Sequence, residues 1–89
     1  MMASYYRTVD LVLECGCIAW GRKTLTGTWC KSCRHKRAST WVYVTADNGR
    51  RKLVTTAEAL SLERLRLQRS AHLAQRMTAL GFYDADGVA

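Results

Sequence analysis

The sequence predicts an α+β fold, in which a small antiparallel sheet is followed by one long C-terminal amphipathic helix. Short β-rich stretches and two cysteine pairs fill the first two thirds of the 89 residues, and apolar residues at helical spacing follow Thr55. A chain of this length has a small core and forms one domain, usually with the help of a cross-link. We therefore expect one unit over residues 1–82, with the sheet in 7–55, the helix in 56–80 and a frayed tail in 83–89.

The predicted sheet begins in residues 7–14, RTVDLVLE, which are short and rich in β-forming side chains. Residues 18–29 contain two glycines, and we expect a loop or a hairpin there. This interval delivers the second cysteine pair, so its conformation decides where that pair lies.

A second β-rich stretch occupies residues 39–46, STWVYVTA. Its alternation places Trp41 on one face and Val42 and Val44 on the other. The following Asp47-Asn48-Gly49 predicts a two-residue turn at Asn48-Gly49, after which residues 50–55 return as the partner strand.

The C-terminal helix has a signal at each end. Thr55 and Glu58 match a capping box at its start. Gly81 suits a left-handed residue after its last turn, and Phe82 then falls near Met77 in a Schellman motif.

The apolar arc of this helix is wider than one small sheet needs. We expect either that both flanks of the sheet pack on it, or that part of it binds a second copy or another protein. Leu65 falls among polar residues and is predicted to be an exposed apolar anchor. With it, the predicted partner-binding residues are Arg69, His72 and Arg76.

All four cysteines lie in two close pairs, Cys15-x-Cys17 and Cys30-x-x-Cys33, separated by 12 residues. Each pair can supply two thiolates from one tight turn, which is how tetrahedral zinc sites are usually encoded. Zinc ligation would also supply the cross-link that the small core requires. Two disulfides, a redox pair at the second turn and an iron or iron-sulfur site are the alternatives left open by spacing alone.

The first pair is unusual because one residue, not two, separates its cysteines. Gly16 makes this tight turn feasible, since glycine adopts backbone angles that other residues avoid. His35 lies close enough in sequence to be a substitute ligand, but we rank it below the cysteines.

Positive charge is concentrated around the cysteines. The chain has a net charge of +7, and residues 18–45 contain six basic residues and no acidic one. This distribution is typical of proteins that bind nucleic acid through phosphates. The predicted phosphate-binding residues are Arg22, Lys23, Lys31, Arg34, Lys36, Arg37, Arg50 and Arg51.

Part of this charge has a simpler explanation, because four thiolates around Zn²⁺ leave a net negative centre that nearby cations stabilise. The aromatic residues are also open to two interpretations. Trp20, Trp29, Trp41 and Tyr43 could stack on exposed bases. A small domain usually buries at least one tryptophan, and we expect Trp29 to be the buried one.

The arrangement LVLECGC, a basic loop, TWCKSC and a β-rich stretch resembles the zinc ribbons. In particular, it resembles the short orphan zinc-ribbon-like proteins common in phages that infect actinobacteria. The resemblance covers residues 9–54 and implies a zinc-ribbon-type sheet with Cys15, Cys17, Cys30 and Cys33 as ligands. It implies little about function, since zinc ribbons serve many roles.

Two functions follow from these features. The first is a zinc-stabilised basic module that binds DNA or RNA, and the second is a phage-encoded module that docks on a host protein, or a second copy, through its helix. Catalysis is not expected, because four cysteine ligands leave no open metal position. No apolar segment is long enough for a signal peptide or a membrane span, so we expect a cytoplasmic protein.

Overall fold

The computed structural model describes residues 8–83 and contains a five-stranded antiparallel sheet followed by two short helices. The elements, in chain order, are β1 (Val9–Leu13), β2 (Ile18–Arg22), β3 (Gly27–Cys30), β4 (His35–Thr45), β5 (Arg51–Thr55), α1 (Thr56–Leu67) and α2 (His72–Ala79).

The long strand β4 organises the sheet. Its first residues pair with β3, its middle pairs with β1, and its last residues pair with β5. Strand β2 pairs with the outer edge of β1, so the order is β2-β1-β4-β3 with β5 also on β4. The interval between the cysteine pairs therefore contributes two strands, β2 and β3, which do not pair with each other.

One face of the sheet is buried by the helices. The alternation predicted for β4 is confirmed, because Val42 and Val44 are buried whereas Trp41 is exposed. The core combines the inward side chains of β1, β4 and β5 with those of both helices and the segment after them. Its largest fully buried members are Phe82, Leu11, Leu13, Leu62, Leu73, Met77, Val42 and Val44.

The β4–β5 hairpin forms as predicted, but its turn is one residue longer. The N–H of Gly49 donates to the carbonyl of Ala46, and the N–H of Ala46 donates to that of Arg50. Gly49 has a φ of +86°. This is a three-residue loop that ends in a glycine bulge, so the predicted two-residue turn is wrong.

The single long C-terminal helix predicted from the sequence is also wrong. Helix α1 has 12 residues, α2 has 8, and a four-residue break separates them. The start was placed correctly, since the Thr55 hydroxyl accepts a hydrogen bond from the Glu58 N–H. The Glu58 carboxylate does not complete the capping box; it pairs with Arg76 instead.

The break is a Schellman motif without glycine. The N–H of Ser70 donates to the carbonyl of Leu65, and the N–H of Arg69 donates to that of Arg66. Arg69 takes the left-handed conformation, with a φ of +52°. Ser70 lies two residues before α2, and its side-chain oxygen accepts a hydrogen bond from the N–H of His72, the first residue of that helix. The same motif ends α2 at Gly81, where the Phe82 N–H donates to the Met77 carbonyl as predicted.

The break folds α2 back on α1. Along one continuous helix, Glu58 and Arg76 would lie about 27 Å apart. In the structure their side chains form an ion pair with a nitrogen-to-oxygen distance of 2.6 Å. Because α2 folds back, Leu73 and Met77 belong to the same hydrophobic core as Leu62.

This reversal changes which apolar residues of the helices face the solvent. Leu65 was expected to be exposed, but it packs against the core. Leu60 and Leu67, which a continuous helix would place on its apolar arc, are exposed. Tyr83 packs against the core too, whereas the rest of the predicted frayed tail, 84–89, lies outside the described residues. Within residues 8–83, no helix is long and apolar enough to cross a membrane.

Candidate metal centre

Both cysteine turns lie near the start of β4, because β3 pairs with its first residues and β1 ends beside Ser39. Strand β1 runs antiparallel to β4 and ends opposite Ser39 at Leu13, immediately before the first turn. Strand β3 ends at Cys30, opposite His35. Residues far apart in sequence are thus brought together by one strand.

The four sulfur atoms form a compact cluster. All of them lie within 4.8 Å of one another, and the sulfurs of Cys15 and Cys30 are 3.7 Å apart. With zinc-to-sulfur bonds of about 2.3 Å, the edges of a tetrahedral site are about 3.8 Å long. All four cysteines are free thiols. The cluster therefore fits a tetrahedral metal ion held by Cys15, Cys17, Cys30 and Cys33.

The first turn is closed by two backbone hydrogen bonds. The N–H of Gly16 donates to the carbonyl of Leu13 over 2.8 Å, and the N–H of Leu13 donates to the carbonyl of Cys17 over 2.9 Å. Gly16 has a φ of +87°, and this explains why a one-residue spacer can place two thiols on the same side of the turn.

The second turn points backbone donors at a sulfur. The N–H of Cys33 lies 3.5 Å from the Cys30 sulfur, and the N–H of Arg34 donates to the Cys30 carbonyl. The N–H of Cys33 stabilises a thiolate at Cys30 without any charged side chain, and the N–H of Arg34 closes the turn. These backbone donors were not among the predicted site residues, although the two-residue spacing of Cys30 and Cys33 is the signal for such a turn.

The thiols are not equivalent. The N–H of Cys33, with a smaller contribution from Ser32, lowers the pKa of Cys30 to about 7. Hydrogen bonding to Cys15 and Cys30, together with burial, raises the pKa of Cys17 to about 11 and raises that of Cys33. Cys30 therefore loses its proton most easily. Cys17 and Cys33 keep their protons until a cation balances the added negative charge.

His35 is not part of the cluster. It is exposed on β4, and the metal-binding group found in residues 8–83 contains the four cysteines alone. Basic residues also lie in and just after the segment that carries the two cysteine pairs. Lys23, Lys31, Arg34 and Lys36 are exposed and make no ion pair within the described part of the chain.

The other four predicted phosphate-binding residues are engaged by the protein or partly buried. Arg51 pairs with Asp10 at 2.6 Å and covers the Tyr43 ring, and Arg50 donates to the Gly81 carbonyl. Arg37 lies 4.0 Å from Glu14. Arg22 is half-buried.

All three tryptophans are exposed: Trp20 by 64%, Trp29 by 53% and Trp41 by 44%. The expectation that Trp29 is buried is therefore wrong. In β3 the side chains alternate, and Cys30 takes the inward position, which leaves Trp29 outside. This alternation was available in the sequence and indicates the correct orientation.

Three of the four predicted partner-binding residues line one shallow depression of about 290 Å³ beside α2: Leu65, His72 and Arg76. Arg69 is not among its lining residues, since it occupies the break between the helices. Arg76 is already paired with Glu58, and His72 contacts Gln75.

The fold and the site are together compatible with one class of protein, a zinc-ribbon-like module, because four clustered cysteines lie on a small antiparallel sheet. The two helices packed on it are an addition to the ribbon pattern. Comparison with protein-family models, curated proteins and solved structures found no match for this chain. The phage origin implied by the resemblance stays a prediction.

Proposed function

We propose that this protein is a zinc-stabilised basic module that binds nucleic acid, mainly through contacts to phosphates. The observation that carries the proposal is a set of exposed basic side chains, in and just after the segment with the cysteine pairs, that make no ion pair within residues 8–83. Lys23, Lys31, Arg34 and Lys36 are exposed, and residues 18–45 contain no acid to neutralise them. Unpaired cations concentrated on one part of a small protein attract phosphates and displace their counterions.

Zinc is the metal that suits the donor set, because four thiolates in a tetrahedral cluster match its preferred coordination. Such a site is closed, so its role is to hold Cys15, Cys17, Cys30 and Cys33 together and thereby fix the two turns. Lys31 and Arg34 lie on the second of these turns, which orients part of the basic surface.

The test is affinity for nucleic acid across a salt series from about 50 to 300 mM. We would compare the metal-loaded protein with the double variant Lys23→Glu, Lys36→Glu. These two residues are exposed and lie at least three positions from any ligand cysteine, so their reversal leaves the centre intact. Losing two phosphate contacts should weaken binding on the order of tenfold and reduce the salt slope by about 2.

A matched control is the double variant Arg64→Glu, Arg69→Glu. It removes the same net charge from exposed positions of the helical region. Its affinity should stay within about twofold of the wild type, since long-range charge effects are screened. An equal loss of affinity in the two double variants would mean that net charge alone determines binding. Wild-type affinity in the Lys23→Glu, Lys36→Glu variant would refute the proposal.

A second candidate is a phage-encoded module that docks on a host protein, or on a second copy, through its helices. The observation that favours it is the depression lined by Leu65, His72 and Arg76. We rank it second because Leu65 packs against the core and Arg76 is already paired.

A further inference from the structure

A cleft lies directly beside the metal centre, between β2 and the second cysteine turn. Its volume is about 210 Å³, smaller than the roughly 300–1,000 Å³ of pockets that enclose drug-sized ligands. A cleft of this size suits one flat ring system. Its lining residues are Leu13, Cys17, Ile18, Ala19, Trp20, Arg22, Trp29, Cys30, Lys31 and Ser32.

Two of the most exposed aromatic side chains of the described chain line this cleft. Trp20 is 64% exposed and Trp29 is 53% exposed, although they come from different strands. Burying either indole would remove a large apolar area from water, and the fold does not do so. Their faces are thus available to a ring that enters the cleft.

The polar groups of the cleft are cationic or neutral. Arg22 and Lys31 line it, and no acidic side chain does. The Arg22 Nε is buried, yet has no hydrogen-bond partner within residues 8–83. A buried donor without an acceptor costs free energy, which a ligand that brings an acceptor would recover.

We propose that this cleft binds one unpaired nucleobase, which stacks on Trp20 and Trp29 while Arg22 and Lys31 contact its acceptor atoms or the adjoining phosphate. This inference rests on the proposed function and specifies that the nucleic acid bound is single-stranded. Bases of a duplex are stacked inside the helix, so they do not present a free face to the cleft. Both RNA and DNA carry the chemistry that the cleft recognises.

The experiment compares oligo(U) and oligo(dT) of about 12 nucleotides with a duplex of the same length, across a salt series from about 50 to 300 mM. The wild type should bind the single strands more tightly and show quenching of tryptophan fluorescence. The double variant Trp20→Ala, Trp29→Ala should lose about 10-fold or more of its single-strand affinity, because stacking contributes about 1–3 kcal/mol per base. Its duplex affinity and its salt slope should not change.

Trp41→Ala is the matched control, because Trp41 is also exposed but is not among the residues that line the cleft. It should keep wild-type affinity. Trp20→Phe, Trp29→Phe retains a ring at both positions and should recover most of the binding, which separates stacking from a folding defect. Preference for either oligonucleotide over the duplex supports the base site, and the ratio of the two affinities measures the combined effect of the 2′-hydroxyl and the thymine methyl group.

Two results would overturn the inference: equal wild-type affinity for single strands and duplex, or unchanged single-strand affinity in the alanine double. In both cases salt-dependent binding through the basic surface can persist, so the proposed function would stand. Absence of binding to all three nucleic acids at low salt would overturn both this inference and the proposed function.

Discussion

The two ends of the sheet are held together in different ways. In residues 14–38, which include both cysteine turns, only Ala19, Leu25 and Cys30 are buried. The helical end buries Leu62, Met77 and Phe82 completely, together with the inward residues of the strands beneath them. One end has a hydrophobic core, and the other has four thiols.

This difference explains the exposure of Trp20 and Trp29, although not that of Trp41 in the middle of β4. If the cysteine cluster holds a metal, this end of the sheet does not need large apolar side chains inside, so Trp20 and Trp29 can face the solvent. The helical end has no such cross-link, and its aromatic Phe82 is fully buried. A metal held by the four cysteines would thus stabilise this end of the sheet and leave its surface free for binding.

The largest effect should come from metal removal. A structural zinc site contributes on the order of 10 kcal/mol to folding, and residues 14–38 have almost no core to replace it. Chelation should therefore abolish hydrogen-exchange protection in this segment, while the helices keep most of theirs. Hydrogen exchange read by mass spectrometry, with zinc content from elemental analysis, measures both.

Cys30→Ser gives the genetic counterpart, because Cys30 is the buried member of the cluster. It should reproduce the effect of chelation and reduce the bound zinc below one per chain. If protection in residues 14–38 survived both treatments, the contrast between the two ends would be incorrect.

An intermediate effect is expected from the hydrophobic end. Leu62 is fully buried, so Leu62→Ala should lower the free energy of unfolding by about 2–5 kcal/mol through lost contacts and a cavity. Leu67 lies on the same helix but is 68% exposed. Leu67→Ala should therefore change the free energy of unfolding by less than about 0.5 kcal/mol. Urea unfolding of the zinc-loaded proteins compares the two, and similar values would mean that α1 does not pack as described.

Much of the metal centre could be predicted from the sequence, because ligand spacing is local and the strands that carry the turns have clear alternation. The positions of Val42 and Val44 and the cap at Thr55 follow from equally local rules. The cleft could not be predicted, since Trp20 and Trp29 come from strands that do not pair with each other. Only the path of the chain between the cysteine pairs brings them to one site.

The helix break was missed for a different reason. Its left-handed residue is Arg69, whereas the usual sequence signal at such a position is glycine. Residues 68–70 are Gln, Arg and Ser, which are common on the solvent side of a continuous helix. The break is stabilised by the contacts of Leu73 and Met77 with the core, which no local pattern reveals.

The smallest predicted effect tests this break directly. Arg69 has a φ of +52°, a conformation that costs a residue with a side chain about 1 kcal/mol relative to glycine. Arg69→Gly should therefore stabilise the protein by up to about 0.6 kcal/mol, after allowance for the greater freedom of glycine in the unfolded chain. In a continuous helix the same change would destabilise it by about 1 kcal/mol, since glycine is a poor helix former. The sign of the shift in the urea midpoint decides between the two, and Arg69→Ala, which keeps the Cβ atom, controls for loss of the charge.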